Sequence, residues 1–274
     1  MHHATHCLNC AGHLNISDNF CCICGQTTHA ESRITMHHIT HEVTHALTHA
    51  DKGFFYLIKS LATQPGETVK EYLSGKHKKY YSPFSFFFIV LGLYVLSNSF
   101  FKPFSSHVAN TAKTIQTTKY PSGMTTEKQR AKYDKVQARV NTAMNFMNTR
   151  TNIVLCISTP FIAFVMFLMY RKRMYYAEHL VVMTFVNSFL NLLSIFIFTP
   201  LLYLANGKSI YFAVLIGMLL SHLVYMSIMY YRVLNFQPNY KSYLKCIGSV
   251  AVGIISWAIF SYIFIGGYIM YGML

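Results

Sequence analysis

Five stretches of this chain run for about 20 residues each without an Asp, Glu, Lys or Arg, and they leave few folds open. They are Pro83–Phe101, Asn152–Tyr170, His179–Leu202, Ile210–Tyr230 and Cys246–Tyr268. A helix rises about 1.5 Å per residue, so each run reaches across a hydrocarbon core of roughly 30 Å. Membrane β-strands would alternate polar and apolar side chains over about 10 residues, and these runs do not alternate. A composition of 53% hydrophobic and 12% charged residues also excludes a soluble globule. The expected fold is an all-α membrane protein, with a five-span transmembrane helix bundle over residues 83–274.

Lys and Arg near span ends are retained on the cytoplasmic side. "GKHKKYY" precedes the first span, Arg171, Lys172 and Arg173 join the second to the third, and Arg232, Lys241 and Lys245 separate the fourth from the fifth. The connection between the third and fourth spans holds only Lys208. This pattern predicts a cytoplasmic N-terminus and an extracytoplasmic C-terminus. Residues 102–151 carry nine Lys or Arg against Glu127 and Asp134, and are expected to form a long extracytoplasmic loop, because translocated loops of this length largely escape the rule. Within it Tyr133, Val136, Val140, Ala143 and Met147 fall at helical spacing and predict an external helix leading into the second span. Much of the net charge of +14 therefore orients the spans. It needs no nucleic-acid partner; the expected partner is the lipid bilayer, with a basic patch for anionic headgroups as an added reading.

Five of the seven cysteines lie near the N-terminus, and Cys7, Cys10, Cys21 and Cys24 form C-x2-C-x10-C-x2-C. Two residues between cysteines let a tight turn aim both thiolates at one ion, and two such turns complete a tetrahedral sulfur site for zinc. Gly25 suits the turn after Cys24, whereas in "CLNCAG" the glycine comes one place late. Cys22 competes with Cys21 for the third position, and His6, His13 and His29 are substitute ligands. Disulfides are the alternative pairing, disfavoured on a reducing cytoplasmic side. Residues 1–30 are thus expected to be a small cytoplasmic zinc ribbon. A segment this short buries too little to fold alone, so the metal supplies the folding free energy, and four sulfurs leave no open position for catalysis.

Residues 31–82 read as cytoplasmic amphipathic or interfacial helices. Met36, Ile39, Val43, Leu47, Ala50 and Phe54 make an apolar stripe, and His37, His41, His45 and His49 recur every fourth residue on the other side. That row is either a solvated face or a secondary metal or pH-sensing site. Inside it "HEVTH" matches H-E-x-x-H, with His41 and His45 as ligands and Glu42 as base, but a four-residue histidine period supplies the pair automatically, and the third ligand still required could be Glu67 or Glu71 only if the chain doubled back. In "TQPGETVKEYLSGKHKKYYSP", Pro65 and Gly66 stop one helix, Glu67 and Glu71 suit the start of the next, Gly75 ends it, and Tyr80 and Tyr81 lie at the membrane interface.

A ribbon ending "FCCICGQ", then "PGETVKEYLSGKHKKYYSP", then "YYAEHL" before a span resemble an uncharacterised bacterial membrane family, domain of unknown function 3667. The resemblance implies an N-terminal zinc ribbon, several C-terminal spans, a bacterial inner-membrane location and no assigned activity. The chain departs from the family pattern at His77, where Arg is usual, and in its histidine row. Its topology is also similar to that of Yip1-type proteins.

Polar groups at membrane depth are candidates for function. Thr184, Asn187, Asn191 and Ser194 share one face of the third span with Ser188 beside it, His222 lies near the middle of the fourth, and Glu178 and His179 stand at the cytoplasmic mouth of the third. Glu178, His179, Asn187, Asn191 and His222 form a candidate intramembrane polar site, against which stands ordinary bonding between helices. No G-x-S-x-G, P-loop or dinucleotide-binding glycine pattern occurs, and no acid lies in a span core, so no enzyme is expected. The preferred function is a membrane-anchored interaction or assembly factor that uses its ribbon to dock a cytoplasmic protein or a second copy. The alternative is a small-solute or ion transporter using the polar face and His222.

Overall fold

A computed structural model describes residues 5–15, 18–28, 36, 53–101, 103, 125–206 and 208–271. The structure is all-α, with no strand among the described residues and five helices long and apolar enough to cross a membrane. The histidine row His37, His41, His45 and His49, with the H-E-x-x-H match inside it, lies outside the described residues, as does His29.

A helical hairpin comes first, α1 (Gly53–Thr63) and α2 (Pro65–Leu73). Pro65 occupies the start of α2, where its missing N–H has no helical partner to lose. Gly66 does not stop a helix; it lies inside α2, and a Cβ there would sit 2.2 Å from Cβ of Arg232, whose stem crosses the hairpin. Leu57, Leu61 and Val69 are fully buried, and the hairpin packs on spans three and four, through Tyr72 against Phe185 and a hydrogen bond from the Tyr225 hydroxyl to the Leu61 carbonyl at 3.1 Å. It is a packed part of the molecule more than a helix pair lying on a surface.

After a 3-10 turn, His77–Lys79, the first span is α3 (Pro83–Phe101). Tyr80 and Tyr81, read as interface residues, are buried: Tyr80 stacks on Tyr56, and Tyr81 meets Phe54 edge-on. Helix α4 (Glu127–Thr149) is capped by Thr126 and Gln129 and runs to α5 (Thr151–Tyr170) through a break at Arg150. A helix is thus present where the spacing of Tyr133, Val136 and Val140 predicts one. Arg139 clips it to the far end of the fifth span, donating to the Tyr268 carbonyl at 2.8 Å and lying over the Tyr268 ring.

Span three is not one regular helix. Helix α6 (Tyr176–Leu193) passes into a π-helical turn, Ser194–Phe198, before α7 (Thr199–Leu204). Pro200 is the cause: it has no N–H for the Phe196 carbonyl and its ring would strike that group, so the chain widens and Thr199 N–H reaches back to Ser194 O. Span four is α8 (Ile210–Val233), ended by Asn235 in the left-handed conformation at φ 49°, and span five is α9 (Tyr240–Tyr271). At 32 residues α9 is about 48 Å long at the helical rise and exceeds the hydrocarbon core at one or both ends. One core, drawing Phe86, Val90, Met166, Val182, Val186, Met229 and Val250 from all five spans, also includes Leu57, Leu61 and Val69 of the hairpin.

Candidate metal centre and the polar groups of the bundle

The Cys7, Cys10, Cys21 and Cys24 sulfurs all lie within 4.8 Å of one another, with 3.5 Å between Cys7 and Cys24 and 3.6 Å between Cys10 and Cys21. Those separations are far beyond a disulfide of about 2.05 Å, and near the edge, about 3.8 Å, of a sulfur tetrahedron around an ion with 2.3 Å bonds. Every cysteine is a free thiol. Cys21 is buried, whereas Cys22 is exposed and outside the cluster, and His6 and His13 face each other edge-on across a bridge without joining it.

Two turns with the same wiring, offset by 14 positions, build this centre. Cys7 N–H bonds Gly12 O as Cys21 N–H bonds Gln26 O; Ala11 N–H bonds Cys7 O as Gly25 N–H bonds Cys21 O; the bridge His6 to His13 is matched by Phe20 to Thr27. The residue after each second cysteine is left-handed, Ala11 at φ 57° and Gly25 at φ 70°. The first turn therefore does without a glycine there, at roughly 1–2 kcal/mol of strain. Gly12 lies against the end of the Ile23 side chain instead: a Cβ would stand 2.5 Å from its Cδ1, so that side chain would have to shift.

The electrostatics also ask for a cation. Backbone N–H groups of Cys24 and Ile23 hold the Cys21 thiol down at about 7. The Gly12 N–H favours the Cys10 thiolate, but desolvation and the sulfurs of Cys21, Cys24 and Cys7 push that thiol up to about 12. Four sulfurs this close cannot all ionise without a positive ion between them, and the donor set fits a soft metal in closed tetrahedral coordination.

The four-cysteine module, called the ribbon below for its two matched turns, is fastened to the helices that follow it. Gln26, 3% exposed, donates through Nε2 to the Gly75 carbonyl at 2.7 Å and accepts from Lys78 N–H at 3.5 Å. Gly75 has φ +98°, a conformation that favours glycine, and a Cβ there would meet Cδ1 of Leu8 at 2.9 Å, so Leu8 rests against this turn. Beneath it Glu71 accepts from Lys79, from Lys76 at 2.9 Å, and from the Tyr80 hydroxyl. The Lys79 ammonium, then the Tyr80 hydroxyl and Lys76, hold the Glu71 carboxyl well down, at about 2. Glu71, expected at the start of α2, lies in its last turn, and its partners, like that of Gln26, are defined only by the fold.

The residues of the candidate intramembrane site are distributed along the bundle. Glu178 accepts Tyr175 N–H at 2.7 Å and closes the start of α6. Nδ1 of His179 lies 3.3 Å from the Tyr230 hydroxyl, with its ring stacked on that tyrosine. Asn187 donates to the Thr159 hydroxyl of α5 at 2.7 Å, while Thr184 and Ser188 bond carbonyls of their own helix. Nδ1 of His222 lies 2.8 Å from the Met218 carbonyl, also of its own helix. From Glu178 to Asn191 the helix rises about 20 Å, so these groups are not gathered at one point. Buried Nε2 of His179 and Nδ2 of Asn191 have no hydrogen-bond partner among the described residues.

Residues 51–95 match the model of a family described as protein of unknown function, DUF3667. The chain carries this family's segment. The DUF3667 segment takes in the hairpin, the Glu71 cluster, the Gly75 landing place of the ribbon and the first half of span one. No curated protein and no solved structure matches the chain.

Proposed function

We propose that the protein is a membrane-anchored interaction or assembly factor whose N-terminal ribbon, folded around a structural zinc ion, presents a rigid docking surface at the cytoplasmic face of a bacterial inner membrane. The observation that carries this reading is the ribbon's attachment: the buried Gln26 to Gly75 hydrogen bond and the seating of Leu8 hold it against the DUF3667 segment. A ribbon held this way keeps Phe20 and Ile23, 62% and 69% exposed, pointing away from the chain's own core. Large apolar side chains on so small and constrained a module suit a protein partner or a second copy. Zinc is the ion that four thiolates in closed tetrahedral geometry favour, and with no open position it has a structural role.

The cytoplasmic placement is supported by charge. The ribbon's landing site, Arg171 to Arg173 and Arg232 to Lys245 belong to one end of the bundle, whereas Lys208 and the α4 clip belong to the other. The test is site-specific photocrosslinking from position 23 in intact membranes. A discrete adduct that disappears in Phe20→Ser, while metal content is unchanged, is expected. Absence of any protein adduct from positions 20 and 23 would sink the docking reading.

A transporter is the second reading, favoured by the unpartnered buried atoms of His179 and Asn191. Solute or proton flux in sealed vesicles that falls in Asn191→Leu and survives removal of residues 5–28 would favour it over docking.

A further inference from the structure

A cavity of about 240 Å³ opens between the α5–α6 turn, the turn after α8 and the start of α9. Arg171, Lys172, Arg173 and Lys245 line it, together with the rings of Tyr170 and Phe236. No carboxylate contributes to its wall. From residue 135 onward the chain has a single acid, Glu178, and that group closes the start of α6 on Tyr175 N–H. None of the four cations has an ion-pair partner among the described residues.

The wall is built, not incidental. Arg173 donates to the Leu234 carbonyl at 3.0 Å and lies 4.7 Å from the centre of the Phe236 ring, which fixes its guanidinium while leaving further N–H donors available. Phe236 is held in turn by Tyr170 and Tyr231, and the Tyr170 hydroxyl donates to Ser249 on α9 at 2.7 Å. Leu168 and Met169 form the lip on the span side, 53% and 44% exposed. The cavity thus joins a cationic floor, with Arg173 fixed in place, to an apolar edge at the end of a membrane span.

We propose that this cavity binds the phosphate headgroup of an anionic phospholipid, whose acyl chains run down past Leu168 and Met169. Basic residues here also orient the spans, but orientation requires only charge near the span ends, with no cavity, immobilised arginine or aromatic wall. A free phosphate would satisfy the cations and make no use of the lip. This inference does not depend on ribbon docking.

The test uses the full chain with its metal, purified in a neutral detergent and measured by native mass spectrometry against phosphatidylglycerol, phosphatidylcholine and inorganic phosphate. One phosphatidylglycerol retained per chain, at least about tenfold tighter than phosphatidylcholine, is the expected result. Lys172→Gln and Lys245→Gln, both at exposed positions, should each weaken retention about fivefold, as loss of one interfacial charge implies. Lys208→Gln at the opposite end should not. Equal retention of the two lipids, or unchanged binding in the Lys172→Gln/Lys245→Gln double variant, would overturn the proposal. Retention of inorganic phosphate without lipid selectivity would overturn the lipid source and leave a soluble anion site.

Discussion

The ribbon and the helix bundle reach order by opposite means. In the ribbon the buried apolar residues, among those described, are Cys7, Leu14 and Cys21 with Cys24 packed beside them, so Leu14 is the one aliphatic side chain the described residues contribute to that core. In the bundle one continuous apolar core links all five spans to the hairpin. A module of about 25 residues with so little apolar burial cannot offset the entropy of ordering its chain, whereas the bundle spreads stabilisation over many contacts and the surrounding lipid. The comparison teaches that the ribbon fails at a single point and the bundle does not.

The largest effect expected is from the metal. Cys7→Ser with Cys10→Ser should abolish metal binding, worth about 10–16 kcal/mol in isolated zinc-finger peptides, and unfold residues 5–28 while the spans keep their helicity. Metal analysis, limited proteolysis and circular dichroism of the membrane-extracted protein check it. A protease-resistant ribbon in the variant would break the comparison outright.

Next is the seam between the regions. Gln26→Leu should leave the metal bound but strand the Gly75 carbonyl and release the ribbon, at about 1–3 kcal/mol. Hydrogen exchange at residues 75–78 should rise in that variant, and unchanged exchange would show that Leu8 alone holds the ribbon.

The Glu71 cluster gives a smaller, pH-dependent effect. Its carboxyl is depressed from the usual 4.5 to about 2, so its stabilisation is fully present above pH 4.5 and is lost as pH falls through about 2. Because the group is partly solvated, about 1 kcal/mol is expected after screening. The melting difference between wild type and Glu71→Gln should be widest near pH 7 and close as pH falls from 4.5 toward 2. A gap independent of pH would remove the ion cluster as its cause.

Ala11→Gly should have the smallest effect and the opposite sign. Relief of the left-handed strain at φ 57° stabilises the first turn, less glycine's extra chain entropy, leaving about 0.5–1 kcal/mol. Slower loss of metal to a chelator is the measurement, and a faster loss would show that the alanine methyl packs favourably.

The spans were legible because membrane crossing imposes a continuous apolar run, a constraint local to each segment. The four cysteines were legible because ligand spacing is also local, and the helix Glu127–Thr149 because its stripe at Tyr133, Val136 and Val140 is helical. Gly66 looked like a helix stop and proved to be clearance for Arg232, a residue far along the chain. The π turn at Ser194–Phe198 was written in Pro200, but a proline within an apolar run leaves open whether the helix kinks, breaks or widens.

Residue order by itself determined the five apolar spans and the four clustered sulfurs, since each follows from chemistry within one short window. The tertiary structure alone decided that Gln26 meets Gly75, that Glu71 gathers Lys76, Lys79 and Tyr80, and that Arg173 and Lys245 share a cavity. Those outcomes depend on how helices distant in the chain pack together, and packing is a property of all their surfaces at once.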